Sequence, residues 1–186
     1  MGWTLKGNLN YLSVTTAASN NLVAWSFDPT MVNNPYTPGQ GKCLVVRSYV
    51  DSPQAVTHFY TYTLSSGSGL ANCYIGLYNI SGTLLGQTGD ISTALNGTAG
   101  PITASISTGS ITGLTYNQEV YLVLLIATGG TSPSFLSPHN YAINLAMTSD
   151  YRWQTAGSSL TTLPSTLPAL SAASTGSQPP FLAVGP

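Results

Sequence analysis

Apolar and polar residues alternate along most of the chain with the two-residue period of a half-buried strand. "PITASIST" (101–108) shows it most cleanly, with Ile102, Ala104 and Ile106 on one face and Thr103, Ser105 and Ser107 on the other. "KCLVVRSYV" (42–50) and "QAVTHFYTYTL" (54–64) read as two further strands. In the second, Val56, His58, Tyr60, Tyr62 and Leu64 share a face, and Thr57, Thr61 and Thr63 lie opposite with Phe59. Thr is polar yet β-branched, so the Thr face is expected to be the solvated one. "EVYLVLLIAT" (119–128) is apolar on both faces and predicts a central strand covered on both sides. In "NCYIGLYNISGTLLGQTGD" (72–90), Cys73, Ile75, Leu77 and Ile80 are apolar strand positions, Asn79, Ser81 and Gly82 supply a turn, and Leu84 and Leu85 begin the return strand.

No 3.6-residue apolar pattern persists for helical length. Gly-rich turn signals such as "SSGSG", "LNGTAG" and "ATGG" separate the strand-like runs. The pattern predicts an all-β protein, a single antiparallel β-sandwich of jelly-roll-like form with extended N- and C-terminal arms. Residues 1–21 form the expected N-terminal arm, where Trp3, Leu5, Leu9 and Tyr11 stand among small polar residues as an assembly interface. Residues 22–186 form the domain, including a Ser/Thr/Pro-rich segment at 156–180 and a final strand at 181–184.

Composition narrows the function. Of 186 residues, 42% are hydrophobic, enough for one substantial core, yet only 5% are charged and the net charge is −1. Four scattered basic side chains supply no footprint for nucleic acid and no polybasic patch for anionic membranes. No apolar run reaches membrane-spanning length, and the N-terminus lacks the apolar stretch of a signal peptide. A nearly uncharged surface gives little mutual repulsion, so a working state as an assembly is expected.

The chemical inventory is short. His58 and His139 stand apart from other ligating residues, and no HExxH, HxH or CxxC spacing occurs, so no transition-metal site and no cofactor are expected. Backbone carbonyls leave a calcium site open, although no acidic cluster marks one. Asp28, Asp51, Asp90, Asp150 and Glu119 are singletons, and Asp28 and Asp90 read as loop-bonding side chains. No catalytic residue is assigned. Cys43 and Cys73 are two buried thiols or one disulfide. Eleven Tyr and three Trp on an uncharged β-protein offer ring faces for sugars, and Tyr36 in "NNPYTPG" is the candidate glycan contact. Tyr60, Tyr62, Tyr121 and Trp25, at strand positions, are read as packing residues.

Several segments together resemble a β-sandwich domain that recurs in virion proteins of actinobacterial phages, of the minor tail, tail-fibre and head-decoration types. They are "AWSFDP" (24–29), "CLVVRSYV" (43–50), "GSGLANCYIGLYNISGTLLGQTGD" (67–90), "EVYLVLLIATGGTSPSF" (119–135) and "YRWQTAGSSLTTLPSTL" (151–167). The resemblance spans about residues 22–184. It implies a non-enzymatic structural protein on the virion surface, made in the bacterial host cytoplasm, and supplies no catalytic residue. Its implied partners are other virion proteins, capsid or tail subunits, and further copies of itself, with a trimer as one arrangement. A chain starting at Met1 is expected to be a compact subunit rather than part of a long fibre. The alternative is a receptor-binding module for host-surface glycans.

Overall fold

The computed structural model describes residues 16–29, 34–138, 152–172 and 178–186. Trp3, Leu5, Leu9, Tyr11, His139 and Asp150 lie outside the described residues. The strands are β1 (Ala24–Trp25), β2 (Asn34–Tyr36), β3 (Cys43–Tyr49), β4 (His58–Ser65), β5 (Cys73–Asn79) and β6 (Leu84–Thr88). A five-residue helix, α1 (Ser92–Asn96), precedes β7 (Gly100–Gly109), β8 (Glu119–Ile126), β9 (Ser134–Ser137), β10 (Trp153–Ala156), β11 (Leu170–Ala172) and β12 (Leu182–Gly185).

Every pairing between these strands is antiparallel. The order is β1-β12-β4-β7-β6-β5-β8-β3-β10-β11, with β9 bonded to β4 and β2. The all-β class is as expected. Hydrogen bonding runs through one 12-stranded ladder. The strand responsible is β7. Its residues 100–105 pair with β4, while Ile106, Thr108 and Gly109 pair with β6. Ile102 is buried, and Ala104 and Ile106 pack against the same core, so the strand keeps one face inward along its length.

That core draws on both halves of the ladder. Phe59, Phe135 and Leu182 from one half share it with Leu44, Ile75, Leu124 and Trp153 from the other. β12 lies against β8, and β1 against β3, without pairing.

β8 sits between β5 and β3 and is apolar on both faces, as its sequence predicts. Val120, Leu122, Leu124 and Ile126 enter the main core; Tyr121, Val123 and Leu125 enter a second cluster on the opposite face. Covering that face are Leu160, Leu163, Leu167 and Leu170, from the Ser/Thr/Pro-rich segment. Each leucine buried there contributes about 1.5–3 kcal/mol when fully covered. Polar ties fix the segment: Tyr78 Oη donates to the Pro164 carbonyl at 2.7 Å, and Leu84 N–H donates to the Ser165 carbonyl at 2.9 Å.

Residues 16–21, assigned to the N-terminal arm, pack on the domain: Ala17 is fully buried and its N–H donates to Asp51 Oδ2 at 2.9 Å. The final strand expected at 181–184 is found as β12 (Leu182–Gly185). β12 is inserted between β1 and β4 with all four residues buried, because "FLAV" carries its own apolar pattern.

Candidate functional site

β4 inverts the expected assignment of its faces. Phe59, Thr61 and Thr63 are buried, whereas Tyr62 and Leu64 are 38% and 37% exposed and His58 and Tyr60 half-buried. Burying threonine is inexpensive here because its hydroxyl finds a carbonyl. Thr61 Oγ1 donates to Phe181 at 2.7 Å and Thr63 Oγ1 to Gly100 at 3.3 Å. The outer face is therefore an aromatic row.

Neighbouring elements turn this row into a groove of about 330 Å³. Cross-strand pairing sets Thr103 opposite Tyr60 and Pro101 opposite Tyr62. A 3-10 turn at Ala18–Asn20 ends in Asn21, whose left-handed backbone (φ 56°) leads into Leu22 on the near wall. Among the described residues, none that lines the groove is charged. Tyr60 is fixed: its Oη donates to the Pro186 carbonyl at 3.0 Å, and its ring lies 6.2 Å from the His58 ring at 39°. Tyr62 Oη, the Asn21 side-chain amide and the Thr103 hydroxyl belong to exposed residues and bond to no other described residue. Sequence reasoning assigned Tyr60 and Tyr62 to packing. The available signal was the i, i+2 aromatic pair, but the face it occupies was read the wrong way round.

Tyr36 is not in an exposed loop. It ends β2, pairs with Phe135, and meets Trp153 edge-on at 6.0 Å between ring centroids. Burial pushes its phenol up to about 12. Its ring is half-buried at the rim of the main core.

Among the described residues, Asp51, Asp90 and Glu119 each accept hydrogen bonds that tie separate parts of the chain together. Asp90 Oδ1 accepts from the N–H groups of Cys73 and Ser92, both at 2.9 Å, and Oδ2 accepts from Asn72 N–H at 3.1 Å. Burial raises its pKa, but the donors from Cys73, Ser92 and Asn72 more than offset this and hold the carboxyl below its ordinary value. The loop-bonding role expected of Asp90 is what is found. Glu119 Oε1 accepts from Tyr49 Oη at 3.0 Å. His58 Nδ1 shares a 2.7 Å hydrogen bond with Thr57 Oγ1. Among the described residues, no group of three His, Cys, Asp or Glu is placed to hold a metal ion. Cys43 and Cys73 are free thiols; Cys43 lies in the second cluster and Cys73 in the main core, on opposite faces of the ladder.

Comparison of the chain with protein-family models and with curated proteins finds no match. This face offers two tyrosine rings, uncharged hydrogen-bonding groups and a paired backbone.

Proposed function

We propose that this chain is a non-enzymatic structural protein of a bacteriophage particle. On this reading it is exposed on the virion surface as a capsid decoration or minor tail component. It attaches through the N-terminal arm to other virion proteins or to copies of itself, a trimer being one arrangement. The observation that supports this is where the segments carrying the phage resemblance fall. "CLVVRSYV", "GSGLANCYIGLYNISGTLLGQTGD" and "EVYLVLLIATGGTSPSF" contain β3, β5–β6 and β8, which are consecutive in the ladder order β6-β5-β8-β3. These three of the five segments thus share one continuous stretch of the ladder, with core on both of its faces, suited to stability on a particle.

Copy number and position in purified particles test the reading. Many copies at lattice points mean decoration; a few at one vertex mean tail; absence from the particle overturns the proposal. Deleting residues 2–12 tests the arm directly. The expected product is a folded domain that no longer co-purifies with particles, and retained incorporation removes the arm from the account.

A second reading, a module for host-surface glycans, is favoured by the outer-face tyrosines and uncharged groove beside β4.

A further inference from the structure

We propose that the groove walled by Asn21, Leu22, Tyr60, Tyr62, Pro101 and Thr103 is a binding site for a neutral saccharide, with a pyranose ring laid on Tyr62. This rests on the glycan-binding reading and gives it a location. Tyr60 and Tyr62 project from one face of β4 two residues apart, so their rings are anchored about 7 Å from each other along the strand. One ring is held in place by the Pro186 carbonyl and the neighbouring His58; the other is open to solvent. A pyranose presents an apolar C–H face and an equatorial rim of hydroxyls. The tyrosine ring complements the first. The Tyr62 Oη, Asn21 side-chain amide and Thr103 hydroxyl, which bond to no other described residue, complement the second, since each can donate and accept.

Size and charge decide between occupants. A stable protein partner covers roughly 800 Å² of surface on each side. A groove of about 330 Å³ instead falls at the small-ligand end of the scale. No described lining residue carries a charge, so among these residues phosphate, uronate and sialate groups would find no cationic partner. The lining therefore matches a neutral sugar and discriminates against acidic ones. With Tyr60 held by its hydrogen bond and the pairing strands fixing Pro101 and Thr103, little ordering accompanies binding.

The test is titration of the full chain with neutral gluco-, galacto-, manno- and arabino-oligosaccharides, followed by backbone amide shifts, with polygalacturonate as the acidic control. The expected result is saturable binding of at least one neutral member, with shifts at Tyr60, Tyr62 and Thr103 and none tighter for the control. Tyr62→Ala, an exposed truncation that leaves the fold intact, is expected to weaken binding about tenfold or more. Tyr62→Trp is expected to retain it. If the wild type binds but the shifts lie elsewhere, or Tyr62→Ala binds unchanged, this site is overturned while the glycan reading stands. If no neutral saccharide binds, both fall. Tighter binding of polygalacturonate overturns the neutral assignment.

Discussion

Asp90 fastens the start of β5 from the far end of the β5–β6 hairpin, its Oδ1 accepting the Cys73 N–H at 2.9 Å. The same oxygen accepts Ser92 N–H, closing an Asx-type turn into α1. One exposed carboxylate thereby satisfies backbone donors on both sides of the hairpin. Asp90→Ala is expected to cost about 1–3 kcal/mol at neutral pH, since the N–H groups of the buried Cys73 and Ser92 lose their acceptor. The folded carboxyl sits below its ordinary value, so its contribution is fully present above the unfolded value of about 4 and is lost as pH falls through the folded one. Urea midpoints of wild type and Asp90→Ala should differ at pH 7 and draw together as pH falls through the folded carboxyl's value. A gap that persists in acid would assign the effect to something other than the charge.

The thiols should be inert while the fold is intact. Burial pushes Cys43 up to about 12; burial, with the nearby Asp90 charge adding to it, pushes Cys73 up to about 11. Reaction with a thiolate-seeking disulfide reagent at pH 8 should be negligible in native protein and should release both thiols in denaturant. Stoichiometric native labelling, or a mass two hydrogens short, would contradict the placement of Cys43 and Cys73 on opposite faces.

Thr61 carries the inverted face of β4. Its Oγ1 supplies the Phe181 carbonyl with a partner at the entrance to β12. Thr61→Val keeps the shape and leaves that carbonyl without its hydroxyl donor, at an expected cost of about 1–2 kcal/mol. Were Thr61 on the solvated face, the substitution would be neutral, so one urea titration separates the two arrangements.

This residue also marks where the sequence was legible. β7 could be read face by face because Ile alternates with Ser and Thr and nothing aromatic competes. β8 was legible because apolar runs on both faces have few other outcomes. β4 was not: tyrosine tolerates water at its hydroxyl, and threonine tolerates burial when a carbonyl is near. Only the position of Phe181, 120 residues away, settles the choice. Ile80 failed for a local reason. It was counted as a strand position, yet it sits in the turn closed by Gly82 N–H donating to the Asn79 carbonyl, and is 46% exposed. The groove was invisible in principle, since Asn21, Tyr62 and Pro101 meet only through the register of β4 on β7 and the packing of the N-terminal turn.

Gly109 ends β7 with φ at +90° beside its partner Gly86 in β6. A Cβ there would run into the Leu85 carbonyl oxygen, which is backbone and cannot yield cheaply. Gly109→Ala is expected to cost about 2 kcal/mol or more, combining the left-handed backbone with the collision. Because β7 is the strand shared by both halves of the ladder, amide exchange in β6 should accelerate more than in β12. Equal acceleration in the two would mean that β7 does not transmit the damage locally.

Leu163 packs over Gly76 of β5, and this contact fixes how the Ser/Thr/Pro-rich segment sits on the ladder. A Cβ on Gly76 would stand 2.7 Å from Leu163 Cδ1, so glycine is what lets the leucine descend onto the strand. Leu163 is itself 7% exposed within the second cluster. Leu163→Ala should cost about 2 kcal/mol, at the low end for a leucine truncation because the covering segment can settle. Gly76→Ala should also destabilise, because the new methyl displaces the leucine. Combined, the two changes should cost less than their sum, since the methyl at 76 enters the space that the leucine vacates. Urea unfolding of the four proteins in this cycle measures the coupling. A coupling energy near zero would mean that the two residues do not share the space, and that the covering segment is held by its hydrogen bonds alone.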